Sequence, residues 1–145
     1  MAALLTFEDF TPGLTIDLGR HLVSQEEIVR FGRTWDPLPF HVDAVAAADG
    51  PYGGLIASGR HSGLIWVRLL VEAVLNRSAA LGSPGIDEIR WHRPVRPGDL
   101  LHGRLEVLET QPERGEVVVD GTLVTDEGEL ATSIRARYLF ARRGA

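Results

Sequence analysis

A chain of 145 residues, 44% hydrophobic and 24% charged, can build one domain around its own core, and neither wholesale disorder nor a collagen-like chain fits. It has no cysteine, which excludes a thiol nucleophile, a disulfide framework and a thiolate metal site. All 15 basic residues are arginine, so a Schiff-base lysine and a P-loop lysine are excluded; the net charge of −5 and the scattered arginines argue against a nucleic-acid partner.

One domain is expected over residues 1–145. The apolar stretches fall far short of the ~20 residues that cross a membrane. Met1 to Leu5 lack the basic start and long apolar run of a secretion signal, so a cytoplasmic location is expected.

Residues 1–13 read as a polar lead-in closing on Thr11-Pro12-Gly13. Residues 14–23 alternate Leu14, Ile16 and Leu18 with Thr15 and Asp17, the period of a strand. Ser24 followed by Glu27 is a capping-box pattern, with Ile28 and Phe31 at helical spacing behind it. That helix should end near Trp35, because Pro37 and Pro39 disfavour helical geometry in the residues before them. A second, Ala-rich helix is predicted over Val42 to Ala48, then a loop over 49–54.

The most apolar long segment runs from about Gly59 to Ala80. Leu64, Ile65, Trp66, Val67, Leu69, Leu70, Val71, Val74 and Leu75 occupy nearly every face, leaving Arg68, Glu72 and Asn76 as a thin polar stripe. Such a helix is predicted to be buried. Residues 85–142 read as four strands joined by Arg96-Pro97-Gly98-Asp99, Pro112-Glu113-Arg114-Gly115 and Asp126-Glu127-Gly128, all with turn chemistry. Tight turns imply antiparallel neighbours. The order predicts an α+β hot-dog fold, in which one curved antiparallel sheet wraps one long helix.

Two segments could carry chemistry. In Asp36-Pro37-Leu38-Pro39-Phe40-His41 a carboxylate and an imidazole share a proline-stiffened turn among apolar neighbours, and such a pair can act as general acid and base. The same residues also suit an aspartate capping the Val42 helix and a histidine bonded to backbone. The segment Ile56-Ala57-Ser58-Gly59-Arg60-His61-Ser62-Gly63 opens the long helix, whose first N–H groups could polarise a carbonyl brought close to Gly59. It equally suits glycines that let strands approach, with Ser58 as an N-cap. The five histidines (21, 41, 61, 92 and 102) have no H-x-x-x-H or H-E-x-x-H spacing, and Ser58 is not in G-x-S-x-G.

Asp36, Pro39 and His41, followed about twenty residues on by Ile56, Ala57, Gly59 and Ser62, and then by Pro94-Val95-Arg96-Pro97-Gly98-Asp99, resemble the MaoC-like dehydratase family, which includes (R)-specific enoyl-CoA hydratases. The resemblance covers about residues 7 to 141. It departs at Trp35, Leu38 and Ser58, where the family commonly has Gly, Asn and His. The resemblance implies an enoyl thioester, on CoA or acyl carrier protein, as substrate and a role in fatty acid metabolism. Asp36 and His41 would activate the water added at C3 and protonate C2. The Gly59 N–H would hold the thioester oxygen, and Ser62 would donate a hydrogen bond beside the pair. Arg60 is a possible CoA contact, ahead of His92, and His61 is a weaker candidate to line the acyl pocket. No metal or organic cofactor is expected, because the thioester itself acidifies C2. The resemblance also implies a homodimer joined edge to edge. A thioesterase on the same fold, with Glu72 as its only helix acid, and a non-catalytic acyl-binding subunit remain as alternatives.

Overall fold

The computed structural model describes residues 3–145; Met1 and Ala2 lie outside the described residues. In chain order it contains β1 (Thr15–Leu22), α1 (Gln25–Trp35), α2 (Pro39–Val42), α3 (Ala44–Ala48), α4 (Gly59–Ala73), β2 (Ala80–Trp91), β3 (Leu100–Gln111), β4 (Glu116–Thr125) and β5 (Leu130–Phe140). The five strands form one sheet in the order β1-β3-β4-β5-β2, every pairing antiparallel. Its curved face wraps α4, so the molecule has the hot-dog fold.

Alternation explains the sheet. Leu101, Gly103, Leu105 and Val107 of β3, and Val117, Val119, Gly121 and Leu123 of β4, turn inward onto α4. Register shifts at Asp17/Gly19, Val107/Glu109 and Leu123/Val124 bend it. From α4, Trp66 and Leu70 are fully buried, with Ile65 and Leu69 beside them. Burial of each large side chain stabilises the fold by roughly 1.5–3 kcal/mol. Trp66 fits because Gly121 faces it: a Cβ there would stand 2.1 Å from the indole. The indole N–H donates to the Arg104 carbonyl at 3.0 Å.

Several predicted elements change on inspection. The long helix ends at Ala73, well before Ala80. Val74 leaves helical geometry, a one-turn 3₁₀ helix spans Leu75–Arg77, and Ala80 pairs with Phe140. Strand pairing there outweighs the helical pattern, and β2 begins at Ala80 rather than near residue 85. Nor is α4 apolar to its surroundings all round: Arg60, Leu64, Arg68 and Glu72 form an exposed i, i+4 stripe. The lead-in is only partly polar, for Phe7 and Phe10 are buried and Phe10 stacks on Phe140 at 4.2 Å between ring centroids. The predicted 42–48 helix is two helices, because Asp43 adopts extended geometry and caps α3 through bonds from Val45 N and Ala46 N. The Ser24–Glu27 capping box at the start of α1 forms as expected.

Candidate active site

Three elements converge at one end of α4. Asp36 ends α1, with its N–H on the Gly32 carbonyl at 2.8 Å. Pro39 at the first position of α2 presets its φ, and two residues later α2 carries His41, which is 4% exposed. Helices α1 and α2 pack closely because residue 32 is glycine: a Cβ there would meet Val42 Cγ1 at 2.9 Å and His41 Cβ at 3.0 Å. The third element is the extended segment 55–58 leading into α4. Ile56 N bonds Phe40 O at 3.0 Å and Ala57 N bonds Val95 O at 2.8 Å. The segment is thereby sewn to α2 on one side and to the loop before β3 on the other.

His41 Nδ1 lies 2.7 Å from the Ile56 carbonyl oxygen. A carbonyl only accepts, so Nδ1 carries the proton, and in the neutral ring Nε2 presents a lone pair. That Nε2 stands 3.4 Å from Asp36 Oδ2. Two acceptors facing each other across this gap suit a shared donor such as a water O–H. Asp36, His41, Gly59, Arg60 and Ser62 all line one cavity of about 370 Å³, with Leu38, Phe40, Tyr52, Trp91, His92 and Val95 among its other walls. Gly59 is the first residue of α4, so its N–H has no acceptor in a preceding helical turn.

Not every expected role falls to the expected residue. The Ser62 hydroxyl is spent on the Gly59 carbonyl, at 2.9 Å, and receives the Thr132 hydroxyl at 3.4 Å. Ser58 makes the bond to Asp36 instead: its Oγ donates to Oδ2 at 2.7 Å. Ser58 therefore gives α4 no side-chain cap, and Asp36 caps no following helix. Arg60 lies at the mouth, its guanidinium 5.8 Å from the centre of the Trp91 ring. His92 bonds the Ser133 hydroxyl at 2.8 Å. Glu72 is exposed and paired with Arg68 at 2.7 Å, away from the cavity.

The helix-approach role of the glycines also holds, since a Cβ on Gly59 would strike Trp91 and one on Gly63 would meet Ile89 at 2.9 Å. Trp91 also walls the site, a role its sequence does not mark because a strand pattern indicates a face and not a neighbour. A further cluster lies behind the site. Glu27 Oε1 is 2.7 Å from His21 Nε2 and 3.2 Å from His61 Nε2, and His61 stacks on Phe31 with ring centroids 5.0 Å apart. Burial pushes the His61 imidazole below its ordinary pKa, against the attraction of Glu27. Burial alone would raise Glu27, but the His21 bond and the Ser24 backbone N–H hold it below the ordinary carboxylate value. His61 Nδ1 is buried without a partner. Among the described residues no group of three or more His, Asp or Glu side chains could hold a metal ion.

A sheet wrapped on one helix defines a hot-dog protein, and here Asp, His and a free helix start share one cavity. The chain belongs to the MaoC-like family: the family described as MaoC like domain matches residues 9–128. It is 33% identical over 135 residues to a 3-hydroxybutyryl-CoA dehydratase of Methylorubrum extorquens, covering 81% of each chain. It is 29% identical over 140 residues to the uncharacterized protein YdeM of Bacillus subtilis, covering 90% of this chain and 99% of YdeM. Among solved structures, a MaoC-like dehydratase from Rhodospirillum rubrum superposes with a TM-score of 0.85 at 34% identity, covering 97% of this chain and 99% of that one. Hydratase or dehydratase chemistry is what the family and these relatives support. No helix among the described residues is long and apolar enough to cross a membrane.

Proposed function

We propose that the protein adds water across the 2,3 double bond of an enoyl thioester and, in reverse, removes it from the 3-hydroxyacyl thioester. The observation that carries this reading is the orientation of His41. With Nδ1 tied to the Ile56 carbonyl, its Nε2 lone pair and the Asp36 carboxylate meet in one cavity. A water between them donates one O–H to each. Its oxygen attacks C3 as a proton passes to the pair, and the displaced electrons collect on the thioester oxygen as an enolate. The unpaired Gly59 N–H at the positive end of α4 stabilises that charge. The pair then returns the proton to C2, so one water is added and no co-reactant is consumed.

Arg60 at the mouth suits the phosphates of a CoA carrier, and no metal or organic cofactor takes part. The working form is a homodimer. Strand β2 is a sheet edge that exposes Leu81, Ile86 and Trp91, and a second copy would cover it. A thioesterase reading draws no support from Glu72, which is exposed and ion-paired. One assay decides between the chemistries. On crotonyl-CoA, hydration removes the enone absorbance and releases no thiol. Thioester hydrolysis releases free CoA, detected by a thiol reagent. Neither signal would mark a non-catalytic binder.

A further inference from the structure

We infer that Ser58 is a positioning residue for Asp36: its hydroxyl holds the carboxylate oxygen that faces His41. This rests on the hydration reading above.

Ser58 occupies the N-cap position of α4, where a serine ordinarily turns its oxygen back onto the N–H groups of the first turn. Here it does not. Its side chain is 1% exposed, and its hydroxyl reaches across 22 residues to Asp36 Oδ2 at 2.7 Å. A buried hydroxyl donating to a carboxylate is a charge-assisted bond, stronger than one between neutral groups. Oδ2 is also the oxygen that faces His41 Nε2. Both neighbours of Asp36 thus address one oxygen, and no hydrogen bond within the described residues reaches Oδ1.

The segment 56–58 therefore orients both members of the pair. The Ile56 carbonyl sets the tautomer of His41, and two residues later the Ser58 hydroxyl sets the rotation of the Asp36 carboxylate. Because the segment is itself bonded to Phe40 and Val95, the two settings are fixed to one rigid piece of backbone. Asp36 needs such a hold. It sits at a helix end, its side chain is 23% exposed, and Leu38 beside it offers no polar atom. Ser58 touches neither water nor thioester and acts through Asp36.

The test is a double-mutant cycle on the full chain, using hydration of crotonyl-CoA. Ser58→Ala should lower kcat about tenfold, as expected for one hydrogen bond to a charged group, with KM within about twofold. In an Asp36→Asn background the same change should cost nothing further. A loss of folded protein would instead multiply with the Asp36→Asn loss, and a multiplied loss overturns the inference, as does unchanged kcat in Ser58→Ala. Failure of the hydration reading shows elsewhere: in an inactive wild type, or in an Asp36→Asn variant as active as wild type. Either result removes the inference with it.

Discussion

The indole of Trp91 lies directly against the backbone of Gly59. Its Nε1 donates to the Gly59 carbonyl at 2.8 Å, and a Cβ on Gly59 would stand 2.3 Å from the ring. The last residue of β2 thus rests on the first residue of α4 and forms a wall of the cavity. Gly59→Ala must push the indole aside. Overpacking of this kind costs about 1–3 kcal/mol, and it should lower hydratase kcat as well, because the displaced ring disturbs the helix start. Trp91→Ala in the same chain should recover part of the stability loss. Thermal unfolding of the two variants and their combination checks this; strictly additive losses would contradict it.

A similar contact stabilises the core. Gly121 sits between Leu105 and Ile134 in the sheet, facing Trp66. Gly121→Ala should destabilise the protein by about 3 kcal/mol, at the upper end for overpacking, because the indole is fully buried and held by the Arg104 carbonyl. Denaturant unfolding measures this directly.

The hot-dog fold was legible in the sequence because its elements carry strong, local patterns: alternation in β3, β4 and β5, a capping box at Ser24 and a long apolar run in α4. Where the reading slipped, long-range contacts decided. The helix stops at Ala73 because Ala80 pairs with Phe140, 60 positions away in the chain. Phe10 is core because Phe140 waits for it. Within the site, Asp36, His41 and Gly59 could be picked out by motif, and all three line one cavity. Ser58 and Trp91 could not be assigned their contacts, since each acts on a partner more than twenty residues distant. The capping role of Glu27 is legible in the sequence, while its partners His21 and His61 arrive from other elements.

That cluster gives the protein a pH-dependent stability. His61 in the folded state sits below its ordinary value of 6.5, so below that pH the unfolded chain binds more protons and stability falls. Glu27, held below its ordinary 4.5, adds a further loss of the same sign at lower pH. The Tm should therefore drop between about pH 7.5 and about pH 5.5. In His61→Phe, which can keep the stack on Phe31 and has no titrating ring, that drop should shrink. An unchanged drop would assign it to other groups.

The exposed edge of β2 predicts assembly. Sedimentation of the wild type should give the mass of two chains. Leu81→Glu with Ile86→Glu should give one chain at micromolar concentration, because charge on an apolar edge opposes pairing. A wild-type mass of one chain at every concentration would remove the dimer.

The central claim is that Asp36 and His41 act as one unit on one water. Its most direct measurement is kcat for hydration of a 2-enoyl-CoA by wild type, Asp36→Asn, His41→Gln and the double variant. Each single variant should lose at least roughly 100-fold, and the double should be little worse than the more damaged single. An active wild type whose rate is unchanged in both single variants would show that the pair is structural and that the hydration chemistry lies elsewhere.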